Sequence, residues 1–320
     1  VRGAPSGRRK FRERRGVRAW IFSAFVMLAP AASAQADLQG VWSNQTATPL
    51  ERPAAFDSLT ISDERAAAFE RSAPDAFRAD TSDGVGGRQS EWWELSDRMT
   101  RIDGQARTSL IVDPPDGKMP YNAAGRARLQ AEMAANLNRF DNPETRPSTE
   151  RCLAGGSGGS GAPIFPPRYN NHYQLVQTPD FLVIYMEPNS EVRIIPIGGA
   201  APPAYRRWMG HSRGRWEGHT LVVETSGFTP GDEFKPAAPL LMSVEAKVVE
   251  RFTRVSGEEL LYEFSVDDPT YFTRPWRVQQ MLHATTARMF ESACHENNYS
   301  LANILKGGRA LERRAAGAAR

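Results

Sequence analysis

The chain reads as a mainly β protein, an antiparallel meander that closes into a barrel behind one or two short helices. Three observations predict this. From Tyr173 onward, short apolar runs are separated by brief turns such as Thr178-Pro179-Asp180 and Ser256-Gly257-Glu258. Within these runs the side chains alternate with period two. His219, Leu221 and Val223 share one face, and Thr220, Val222 and Glu224 the other. The number of sequential hairpins also favours closure, because a closed sheet leaves no exposed edge.

The candidate strands of the meander are Tyr173–Gln177, Phe181–Glu187, Val192–Ile197, Arg206–Ser212, His219–Ser226, Ser243–Val255, Glu259–Val266 and Arg277–His283, with Met289–Cys294 as a further one. Upstream, Gly40-Val41-Trp42 has a strand-like setting similar to the lipocalin opening strand, so the predicted barrel is lipocalin-like (calycin-type). Thr60–Arg71 predicts a short helix with Thr60 and Asp63 as a capping box. Residues 72–90 are polar and Gly-rich, which predicts a loop. Glu91–Asp103 and Ser109–Asp113 read as strands. Asn122 caps a helix that runs to about Phe140, with Leu129, Met133 and Leu137 on one face. Residues 141–168 predict a flexible loop. Its run Gly155–Gly161 lacks the strand-to-helix setting of a phosphate loop.

The first 36 residues read as a secretory signal peptide. Arg8, Arg9, Lys10, Arg12, Arg14, Arg15 and Arg18 precede the apolar run Trp20–Leu28, which is too short to span a bilayer. Cleavage sites of small residues follow near Ala34 and Ala36. Val1 and Val17 both suit a GTG start, and the spacing of the basic clusters favours the Sec route over twin-arginine export. Residues 37–308 then form a single β-barrel-like domain, and residues 309–320 a disordered tail. A periplasmic or secreted location follows, with no integral membrane segment after cleavage.

Charge supports this division. The chain has 40 basic and 37 acidic residues. The leader holds eight of the basic and one of the acidic, so the remaining 284 residues carry a net charge of −4. Nothing in that balance suggests a nucleic-acid footprint. Cys152 and Cys294 are the two cysteines. In an oxidising compartment they read as a disulfide, for which loop entropy predicts about 4–5 kcal/mol. The rival reading is two unpaired thiols.

Candidate chemistry lies on the alternating strands. Tyr185 and Glu187 share a face with Phe181 and Val183, and Arg193 with Ile195 and Ile197. A tyrosine, an arginine and a glutamate among apolar side chains would hold an aromatic or carboxylate ligand and shift its protonation. The alternative is a structural ion pair, Arg193–Glu187. Arg274 in Thr273-Arg274-Pro275-Trp276 offers a bidentate carboxylate contact; its alternatives are stacking on Trp276 or pairing with Asp267. His295 is a candidate proton carrier, set against a disulfide-anchored polar corner. Ser212-Arg213-Gly214 reads as a turn, and no nucleophile elbow is present. His211 and His219 lack a recognised metal spacing, and Glu91-Trp92-Trp93-Glu94 reads as core or aromatic wall.

Several blocks resemble a large, poorly characterised family of secreted bacterial proteins: Arg107–Gly117, Arg213–Gly218, Thr220–Thr225, Thr273–Trp276 and Ala293–Tyr299. Some members of that family look like cofactor-independent decarboxylases of lignin-derived aromatic acids. Here His211 and His219 stand where many relatives carry acids. The sequence as a whole therefore predicts a protein that binds a small apolar or aromatic acid in a barrel without a cofactor. Two readings follow. One is a lyase using Tyr185, Glu187, Arg193, Arg274 and His295; the other is a non-catalytic carrier or sensor.

Overall fold

Nine strands make one antiparallel sheet in a computed structural model that describes residues 35–78, 96–138, 140–146, 148, 150–153, 161–167, 170–199, 201, 203–231, 233–235, 240–296 and 298–318. Residues 1–34 of the expected leader, the Gly155–Ser160 stretch and Glu91–Glu94 lie outside the described residues. The strands are β1 (Gly40–Ser43), β6 (His172–Gln177), β7 (Phe181–Met186), β8 (Glu191–Pro196), β9 (His211–Glu217), β10 (Thr220–Ser226), β13 (Lys247–Arg254), β14 (Glu259–Asp267) and β15 (Trp276–Ala284). Their order around the sheet is β8-β7-β6-β1-β15-β14-β13-β10-β9, and β5 (Ile111–Asp113) pairs with β15. Shorter strands β2 (Thr60–Ile61), β3 (Arg101–Ile102) and β4 (Gln105–Arg107) form a second sheet, and β11 (Phe234–Lys235) pairs with β12 (Leu240–Leu241).

The end strands β8 and β9 nearly close the barrel. A single parallel bridge, Ile197 to Gly214, joins them, with Gly198 N–H donating to the Gly214 carbonyl at 2.8 Å. Elsewhere the ladders are long: β13 and β14 pair over eight residues, from Lys247–Asp267 to Arg254–Leu260. Alternation places Leu182, Ile184, Ile195, Leu221, Val223, Val248, Phe252, Leu260, Tyr262 and Phe264 in one buried core.

The Gly-x-Trp start has a local cause. Gly40 adopts a φ of +143°, which favours glycine. Trp42 is buried, donates to the Leu38 carbonyl at 3.0 Å and carries the Arg254 guanidinium 4.8 Å above its ring.

Several predicted elements move. Helix α1 spans Asp63–Arg78, while Thr60 belongs to β2 opposite Arg107. The cap is Ser62, whose hydroxyl accepts from Arg65 N–H. Helix α2 spans Ala123–Asn138, and Asn122 caps it as predicted by accepting from Gly125 N–H at 2.8 Å. Leu129 packs on the core, but Met133 stays exposed. Strand β9 starts at His211 rather than Arg206 and runs straight through Arg213-Gly214-Arg215. The hairpin turn falls at Gly218, which has a φ of +61°. Gly214 faces inward, where a Cβ would lie 3.3 Å from the tip of Leu221. Met289–Cys294 forms no strand, and of Glu91–Asp103 the described residues are extended only at Arg101–Ile102.

The expected disordered tail is also corrected. Helix α3 spans Tyr299–Ala318. Alanine, leucine, arginine and glutamate favour helix, and an Arg309–Glu312 pair bridges one turn. The disulfide prediction holds: Cys152 and Cys294 are bonded at 2.07 Å.

Candidate functional site

Inward positions of the barrel carry one charged cluster. Arg193 on β8 and Glu250 on β13 are 3% and 0% exposed and form a bidentate pair. The Arg193 guanidinium has five N–H donors, and each finds an acceptor. Nε donates to Ser212 Oγ at 2.9 Å, Nη2 to Thr225 Oγ1 at 2.8 Å and to Glu250, and Nη1 to Glu250 at 2.9 Å and to the Gly161 carbonyl at 3.5 Å. Tyr262 O–H donates to Glu250 Oε1 at 2.7 Å. Burial works against the Arg193 charge, but Glu250 outweighs it and holds the guanidinium above its ordinary pKa. Burial and the Glu250 charge together hold the Tyr262 phenol well above its usual range, so it stays a donor.

Tyr262 and two further inward side chains hold the chain's own backbone. Ile164 N–H donates to Tyr262 Oη at 2.9 Å, Gln280 to the Ile164 carbonyl at 3.3 Å, and Asn44 to the Phe165 carbonyl at 3.1 Å. The end of the stretch predicted as flexible loop is thus a buried strap, with Ala162, Ile164 and Phe165 in the core.

A second site lies outside the barrel wall, along the seam between β8 and β9. A cleft of about 830 Å³ is walled by Val192, Ile194, Tyr205 and Trp208 and bordered by Arg206, Arg207 and Arg213. Alternation on β8 sends Val192 and Ile194 outward while Arg193 turns in. Arg193 and Ser212 also line the cleft, so its floor is the back of the interior cluster. The described residues between 203 and 210 lie along the seam, with Tyr205, Arg206, Arg207, Trp208 and Met209 lining the cleft. His211 Nε2 lies 2.6 Å from the Tyr205 carbonyl and its ring packs edge-on to Tyr205 at 5.0 Å. The Arg207 guanidinium stacks 5.1 Å from the Tyr205 ring centroid. Apolar walls with a few cations and one imidazole suit a small ligand that is apolar at one end and anionic at the other.

The predicted catalytic residues are dispersed. Tyr185 lies on the outer face of β7, half-buried. Glu187 leaves the strand and is buried, with Oε2 2.9 Å from His172 Nδ1 and Oε1 accepting from Phe290 N–H at 2.8 Å. The alternative Arg193–Glu187 pair is therefore replaced by two separate pairs, because a 3-10 turn at Pro188–Ser190 carries Glu187 off the strand face. Arg274 is half-exposed and pairs with Asp113 at 2.6 Å, rather than with Asp267 or Trp276. His295 is exposed in a turn next to the disulfide. Glu224 faces solvent and pairs with Arg215, and His219 is exposed at the hairpin. Among the described residues no group of three His, Cys, Asp or Glu side chains is placed to hold a metal.

Sequence reasoning missed Glu250, Tyr205 and Trp208. Glu250 had a signal: it stands between Val248 and Phe252 in the inward register of an apolar strand. Tyr205 and Trp208 had none, because they follow no strand periodicity. No protein-family profile, curated protein or solved structure matches the chain.

Proposed function

We propose that the protein is a lipocalin-like carrier or sensor of the cell envelope that binds a small aromatic or apolar acid in the cleft along the β8–β9 seam. The observation that carries this reading is the cleft itself: aliphatic and aromatic walls of Val192, Ile194, Tyr205 and Trp208, with Arg207 and Arg213 at the border. The walls suit a ring and a guanidinium suits a carboxylate. The bonded cysteines support an oxidising compartment, in line with the proposed secretory leader. The non-catalytic form is favoured over the lyase because Arg193, Glu250 and Tyr262 spend their hydrogen-bonding capacity on one another, on Ser212 and Thr225 and on the backbone at Gly161 and Ile164. A decarboxylase needs a proton donor or acceptor free to reach the substrate.

The test is a panel of aromatic and aliphatic acids added to the purified mature protein, followed by tryptophan fluorescence and by mass spectrometry of the recovered acids. One class of acid should give a saturable change, weakened at least about tenfold, or 1.4 kcal/mol, by Trp208→Ala, with its mass unchanged. Loss of carbon dioxide from an acid would replace the carrier with the lyase. Absence of binding across the panel would remove the cleft as a ligand site.

A further inference from the structure

The outer surface of the barrel is divided in two. Over β9, β10 and β13 it is charged: Arg215 pairs with Glu217 at 2.9 Å, Arg251 with Glu217 at 2.9 Å, and Arg215 with Glu224. Over β6, β7 and β8, apart from the buried His172, which lies against Glu187, the outward positions carry no charge. They are Gln174, Val176, Phe181, Val183, Tyr185, Val192, Ile194 and Pro196. The register sets Val176, Val183 and Ile194 in one row across the three strands, and Gln174, Tyr185 and Val192 in the next. Ile194 is 60% exposed, Val192 48% and Phe181 42%. Tyr205, 56% exposed, and Trp208, 41% exposed, extend this face across the seam cleft.

We infer that this face docks on an anionic lipid surface. Two arguments select that occupant. The first is charge. The border beyond Tyr205 and Trp208 is cationic, and among the described residues neither Arg207 nor Arg213 has an ion-pair partner. Among the described residues Arg206 forms an ion pair only with the exposed Glu245, at 3.5 Å. An uncharged apolar centre, aromatic side chains with polar tips and an arginine border match a headgroup layer over acyl chains. The second argument is size. Three strands about 4.8 Å apart and six residues long at about 3.3 Å each cover roughly 300 Å². A stable dimer needs about 800 Å² per partner, which this area falls short of, while the largest apolar patch on a monomer, about 300–600 Å², is often functional. The docking is peripheral: among the described residues no helix is long and apolar enough to cross a membrane.

Flotation of the mature protein with vesicles tests this, comparing pure phosphatidylcholine with phosphatidylcholine containing phosphatidylglycerol. The protein should float with the anionic vesicles only, and raised salt should release it. Ile194→Asp and Phe181→Asp, made separately so that one misfolded variant does not decide the matter, should each reduce flotation at least fivefold. Both side chains are exposed, so the melting temperature should stay within a few degrees of the parent. Arg207→Glu with Arg213→Glu should abolish the preference for anionic lipid. Three results would overturn the inference: no flotation at low salt, equal flotation with both vesicle types, or self-association of the free protein that Ile194→Asp dissolves. The assay contains no aromatic acid, so its outcome is independent of ligand binding in the cleft.

Discussion

Arg193 shows how far a single residue's role is legible in sequence. Its inward direction follows from the alternation Arg193, Ile195, Ile197, but its partner does not. Glu250 lies 57 residues away, and only the curl of the sheet brings β13 opposite β8. The nearby Glu187 is the partner that sequence distance suggests, yet the turn at Pro188–Ser190 diverts it to His172. Because Arg193 and Glu250 are sealed, the pair is costly to break from one side. Glu250→Leu leaves an unpaired guanidinium in the core and should cost about 3–5 kcal/mol in urea denaturation. Replacing both, Arg193→Met with Glu250→Leu, should recover most of that loss, since an apolar pair needs no compensation. A double-mutant cycle with no coupling would mean that water reaches the cluster and that the interior is open.

At the level of elements, strands were more legible than helices. Period-two alternation located β6, β7, β8, β10, β14 and β15 because each has one face in the core. It misplaced β9, where Arg213-Gly214-Arg215 imitates a turn. The glycine sits inward in the strand, where a Cβ would lie 3.3 Å from the tip of Leu221 and in ordinary contact with Ile195. Helix α3 went unread along its whole length; residues 311–318 are exposed on all sides and leave no apolar stripe. That helix also supplies an internal control. Gly307 and Gly308 are neighbours, but a Cβ on Gly307 meets nothing within 4 Å, whereas one on Gly308 falls 2.5 Å from the Phe140 Cβ. Gly307→Ala should therefore stabilise by about 0.5–1 kcal/mol through helix propensity. Gly308→Ala should destabilise by about 1–3 kcal/mol through overpacking. Thermal melts of the two variants check this, and equal shifts would show that α3 does not pack on Phe140.

Across the whole molecule, buried phenols tie the upstream chain, the strap and the barrel to one pH-sensitive core. Tyr173 donates to the Phe165 carbonyl, Tyr262 binds Ile164 and Glu250, and Tyr121 stacks on Phe272. Burial pushes all three phenols upward, the hydrogen bonds that Tyr121 and Tyr173 receive notwithstanding. Tyr271 rises to about 12 through burial and its bond to Glu233. The sign follows from proton counts. Below about pH 10 tyrosine is neutral in both the folded and the unfolded chain, and this contribution is fully present. Above it the unfolded chain releases protons that the fold retains, so stability falls with rising pH until the folded phenols ionise too. Each fully coupled tyrosine contributes a slope of about 1.4 kcal/mol per pH unit. Three of them exhaust an ordinary stability of about 5–15 kcal/mol within a few units. In an alkaline titration, therefore, four of the eight tyrosines should ionise only together with loss of the circular-dichroism signal. Tyr173→Phe should flatten the slope. Phenols that all titrate near pH 10 with the sheet intact would mean that the strap leaves the barrel readily and that water enters behind it.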